Sequence, residues 1–130
     1  MTGIYALVSP DGILEFRDGV PDQMCKDADP QNGVPSAFPI QRASWGGHGL
    51  HGHVANASAL NRDAYPPSQV ASSLVAALGG PEQRIIGNLT ICGSCSSPHN
   101  GGTEMCGLIE AQQHLITGVH TAVSRARSTL

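Results

Sequence analysis

The chain has 130 residues and a net charge of −3, and its 13 % of charged side chains is about half the ~25 % usual in soluble domains. One lysine, Lys26, and six arginines leave no basic footprint for nucleic acid or for an anionic membrane surface. No stretch approaches the roughly 18 continuous apolar residues of a membrane-crossing helix.

In chain order, residues 1–8 (MTGIYALV) lack a basic start and run straight into the turn Ser9-Pro10-Asp11-Gly12, so they read as a first strand and not as a leader. Ile13–Phe16 completes a hairpin in which Gly12 supplies φ > 0. Val20–Lys26 reads as a short helix begun at Pro21, and 27–41, with Pro30, Pro35, Pro39 and Gly33, as loop. Residues 44–54 are rich in glycine and histidine and are also expected to be loop, followed by a polar stretch, Asn56–Ala64. Pro66 and Pro67 then block any helix from upstream, and Ser68 is placed to cap a new one by accepting a backbone N–H. Val70, Leu74 and Leu78 form its apolar stripe, and Gly79-Gly80-Pro81 stops it. Ile85–Cys92 is β-prone and Gly93–Gly102 is small-residue loop.

The last element is a helix from about Leu108 to Arg127, with Ile109, Ile116, Val123 and Leu130 in one seam and Leu108, Leu115 and Ala122 widening it. His114 and His120 fall away from that seam and are expected in solvent. Such a helix is ~30 Å long, whereas short strands span ~17–20 Å, so its C-terminal turns should overhang the core and seek a second copy. The expected fold is α+β, one two-layer domain over 1–130. A small mixed or antiparallel sheet with an N-terminal hairpin is packed by two main helices, about 68–78 and 108–127.

Two constellations carry candidate chemistry. Cys92-x2-Cys95-x3-His99-x6-Cys106 has the ligand types of a tetrahedral zinc site, although its spacing matches neither a knuckle nor a ribbon. The alternative is that Cys92 packs as a small hydrophobe and that the thiols are free and reduced, in keeping with a cytoplasmic protein. Trp45-Gly-Gly-His48-Gly-Leu-His51-Gly-His53 holds three histidines in six residues, enough to chelate a metal, and also spells a loose phosphate-binding glycine pattern. The plainer reading is a glycine-permitted loop with solvent-facing histidines and Trp45 in the core. With Arg62 and Arg84, these residues form a candidate ligand set for a nucleotide-like anion. No nucleophile elbow, H-E-x-x-H or P-loop is present, so no catalytic residue is assigned.

YALVSPDGILEFRDG, GLHGHVANASALNRDAYPPSQVASSLVAALGG, RIIGNLTICG and TEMCGLIEAQ, taken in order, resemble small uncharacterised proteins of actinobacteria and their phages. In layout the chain is similar to the DUF3846-type domain of unknown function, departing from it in the Cys-rich loop 92–106 and in Pro66-Pro67-Ser68. The resemblance implies a phage or mobile-element accessory protein and transfers no catalytic residues. The expected function is therefore a non-enzymatic binding module that engages a host partner, cytoplasmic and homodimeric. The alternatives are a sponge for a nucleotide-like molecule and a zinc protein.

Overall fold

The computed structural model describes residues 3–30, 34–41, 48–55, 65–96 and 103–128. Its elements are β1 (Ile4–Val8), β2 (Leu14–Asp18), α1 (Asp22–Ala28), β3 (Ser36–Gln41), β4 (His48–Val54), α2 (Gln69–Ala77), β5 (Leu89–Ser96), β6 (Thr103–Cys106) and α3 (Glu110–Ser128). The strands form one antiparallel sheet in the order β2-β1-β5-β4-β3, with β6 also paired to β5. The fold is α+β with an N-terminal hairpin, as the sequence implies. Gly12 has φ +85° at the hairpin turn and accommodates the bend that a side chain would oppose.

β5 sits at the centre. β1 pairs with its first half through Leu89–Ile91, β6 pairs with its second half through Gly93–Ser96, and β4 runs along its other edge. The outer strands carry the residues that suit an edge. β2 exposes Glu15 and Arg17 to solvent, and β3 holds Pro39, a residue tolerated on edge strands and at bulges, beside the register shift between Pro39 and Gln41.

The strand period of two divides the residues between two faces. Ala6, Val8, Leu50, Leu89 and Ile91 are buried beneath α2 and α3 with Ala71, Leu74, Val75, Leu78 and Ile116. Tyr5, Leu7 and Cys92 face the opposite way and pack with Val20 and Met24 under α1. The two main helices therefore share one face, and the short helix covers part of the other.

Several expectations are corrected. The two glycine- and proline-rich stretches read as loop contain β3 and β4, and the cysteine-rich loop 92–106 contains the end of β5 and all of β6. Gly52 explains why β4 tolerates its glycines: a Cβ there would lie 2.4 Å from the ring of Phe38, which spans the cross-strand gap in its place. Ser68 precedes α2 but makes no side-chain cap, its hydroxyl instead reaching the carbonyl of Ser9 at 3.4 Å. In α3, Ile116 is fully buried, whereas Leu115, like Ile109 just before the helix, is 41 % exposed and Ala122 is also exposed. The buried face is rotated from the heptad seam to Leu108, Gln112, Ile116, Val119 and His120. His120 donates from Nε2 to the Gly12 carbonyl at 2.7 Å, so it is a contact to the hairpin and not a free histidine. The last turn of α3 does not project as an overhang. Arg127 donates to Ser73 Oγ at 3.2 Å and to the Gln69 side chain, which lays it along α2.

Candidate functional site

β4 crosses the sheet with side chains alternating between its faces. His48, Leu50 and Gly52 lie on the α2/α3 side, while His51 and His53 lie on the α1 side opposite Cys92 and Thr90. The three histidines thus separate into one and two. His53 is only 4 % exposed and His51 half-buried, so the solvent-facing reading fails for both; His48 alone is exposed.

On the α1 side, His51 and His53 line a concavity of about 340 Å³ with Ala37, Ser94, Glu104 and Met105. This is within the ~300–1,000 Å³ of small-molecule sites. Four strands build it: β3 supplies Ala37, β4 the histidines, β5 Ser94 and β6 the remaining wall. Burial, reinforced by neighbouring His51, lowers the pKa of His53 to about 4, so its imidazole is neutral near pH 7. Among the described residues, its buried Nδ1 has no hydrogen-bond partner, nor has the hydroxyl of Thr90, its cross-strand neighbour. Two adjacent buried polar atoms with unmet hydrogen-bonding capacity are costly in a core and ordinary beside a binding site.

Arg84 lines a different hollow, of about 220 Å³, with Pro67, Ser68, Gln69, Ser72 and Ile85 at the start of α2. It is not brought to His51 and His53. Trp45 and Arg62 lie outside the described residues.

The cysteines separate by the same alternation. Cys92 and Cys95 are three apart within β5 and so face opposite ways, which rules out a metal knuckle made from that C-x2-C. Cys92 is wholly buried near Cys25, and burial pushes its thiol up to about 12. Cys25 is also raised, by burial and then by Asp22. Both are free. Cys95 and Cys106 are joined as a disulfide with Cα atoms 6.2 Å apart, which corrects the expectation that all four thiols are reduced. Gly93 lies directly opposite Cys106, and a Cβ on it would sit 3.0 Å from Cys106 Sγ, so the glycine makes room for the bridge. His48 is the cross-strand partner of Cys95, with Nδ1 3.7 Å from its sulfur. The donor atoms of His48, Cys95 and Cys106 all lie within 4.8 Å of one another. His99 lies outside the described residues. Sequence spacing grouped Cys92 with Cys95 and His48 with His51 and His53, and missed the pairing of His48 with Cys95, because the two are 47 residues apart and only strand pairing brings them together.

No helix of the described residues is long and apolar enough to cross a membrane. No family model matches the chain, and no curated protein or solved structure matches it either.

Proposed function

We propose that the chain is a small non-enzymatic binding module whose working surface is the concavity between β3, β4, β5 and β6. The observation that carries this is His53, a buried neutral imidazole that lines the concavity and whose Nδ1 has no hydrogen-bond partner among the described residues. A neutral imidazole beside Ala37 and Met105 favours a small uncharged ligand, or an uncharged side chain of a host partner, over a nucleotide-like anion. Among the described residues, no lysine or arginine lines the concavity. An accessory role in a phage or mobile element rests on the resemblance of the sequence segments and is part of the same proposal. Thermal-shift screening with uncharged amides and alcohols beside nucleotides tests the reading. A ligand at 100 times its Kd adds ~2.7 kcal/mol, and His53→Leu should abolish the gain. Stabilisation by nucleotides alone, unaffected by His53→Leu, would overturn it.

A second reading, zinc binding, is favoured by the clustering of His48, Cys95 and Cys106. In a cytoplasmic setting, where thiols are kept reduced, both cysteines become available as thiolate ligands. Elemental analysis of protein purified under reducing conditions tests it. Homodimer formation keeps one support, the exposed Ile109 and Leu115 beside and on α3, and sedimentation of the full chain decides it.

A further inference from the structure

We infer that Cys95, Cys106 and His48 form a redox-gated metal site, a disulfide in the oxidised protein and a three-ligand zinc centre in the reduced one. The inference rests on the zinc reading above and adds its regulation. Three adjacent strands each supply one donor to the same face: His48 from β4, Cys95 from β5 and Cys106 from β6. In a tetrahedral zinc centre with Zn–S of ~2.3 Å and Zn–N of ~2.0–2.1 Å, sulfur and nitrogen lie about 3.6 Å apart. The Cys95 Sγ to His48 Nδ1 distance is 3.7 Å, so this edge of the tetrahedron is present before any metal arrives. Once the bridge opens, the sulfurs need only separate to about 3.8 Å, the sulfur–sulfur edge for the same bond length.

The remaining surroundings agree. His48 is exposed and both cysteines are partly so, which lets a reductant and an ion reach them. Cys25 and Cys92 lie in the α1-side core with raised pKa values, so the two cysteines beside His48 are the ones placed to react. Three protein ligands leave a fourth position for water, the arrangement of an open zinc site.

The chemistry balances in two steps. A dithiol reductant transfers two electrons and two protons to the Cys95–Cys106 bond, giving two thiols and the reductant's own disulfide. Zinc then displaces the two thiol protons and takes a neutral nitrogen from His48. Because the same two sulfurs serve either bond, metal and disulfide exclude one another.

The test titrates full-length protein with Co²⁺ and Zn²⁺, once oxidised and once reduced by a phosphine that does not itself bind the ion. The reduced chain should take one equivalent and show the thiolate charge-transfer and visible bands of tetrahedral Co²⁺. The oxidised chain should show none, and bound zinc should protect two thiols from alkylation. His48→Ala, a change at an exposed position, should weaken Zn²⁺ binding by more than the roughly 10–100-fold expected for loss of an outer-shell partner. Absence of metal from the reduced chain would end the zinc reading and the gate together. Equal uptake by both redox forms, or undiminished uptake by Cys106→Ser, would leave a metal site but overturn the gate.

Discussion

The two faces of the sheet differ in how completely they are covered. Under α2 and α3 lie Leu50, Leu74, Leu89, Ile91 and Ile116, none with any exposed surface, and a helix pair closes over them. Under α1 the cover is one short helix, Asp22–Ala28, with Tyr5, Met24 and Cys92 beneath it and the His51/His53 concavity beyond. Tyr5 helps fix that smaller cover: its hydroxyl donates to Asp27 on α1, and Arg17 donates to the same carboxylate at 3.2 Å. The difference teaches that the same strands carry a closed apolar core on one side and a hollow on the other. A residue's part in either follows from the parity of its position.

Substitutions on each side can break or sharpen that contrast. The largest effect should come from Leu74→Ala on the covered face, at ~2–5 kcal/mol in urea denaturation, the range for truncating a fully buried leucine. A comparable loss from His51→Ala would erase the distinction.

Next is the pH dependence of His53. Its pKa is about 4 in the folded protein against 6.5 for the free side chain, so the unfolded chain binds more protons between those values. Stability should therefore fall as pH drops from about 6.5 to about 4, by up to about 3 kcal/mol, and level off below. In His53→Leu this part of the pH profile should be flat. A slope that survived the substitution would assign it to another group.

Smaller again is His120→Ala, which removes the hydrogen bond from α3 to the hairpin turn at Gly12 and should cost ~0.5–1.5 kcal/mol by thermal melting. The smallest should be Met105→Ala at the wall of the concavity, within ~0.5 kcal/mol of wild type since the side chain is 45 % exposed. Its effect should appear in ligand-induced stabilisation instead, measured by the same melts with and without ligand.

The hairpin, the α2 segment and the last helix were legible because each is a local pattern: a turn with Gly12, a stripe ended by Gly79, a long amphipathic run. β3 and β4 were not, because glycine, proline and histidine carry little strand propensity of their own, and β6 was not because its four residues, Thr103–Cys106, are too short a run to show a period. Their strand state is imposed by pairing, of β4 and β6 with β5 and of β3 with β4, and at Gly52 by the ring of Phe38. The face of α3 was misjudged by one seam because a seven-residue repeat drifts about 20° per heptad on a straight helix, and among the described residues Ile116 is the one seam residue wholly buried. The candidate sites were half legible. The histidines and cysteines were visible as letters, but their grouping depended on strand alternation and register. These separated Cys92 from Cys95 and joined Cys95 to His48.

β5 is bonded to three other strands, and that has a consequence for how the molecule breathes. Its amides at Thr90 and Ile91 lie between the β1 and β4 ladders, so these should be among the slowest in the chain to exchange. Amides of β2 and β3, each paired on one side only, should exchange through local fraying at far lower cost. β6 has four residues, and the Cys95–Cys106 bond ties its end to β5. The protection of β6 amides should therefore follow the redox state of that bond while the rest of the sheet stays indifferent, making deuterium uptake at Glu104–Cys106 a local gauge of the thiols.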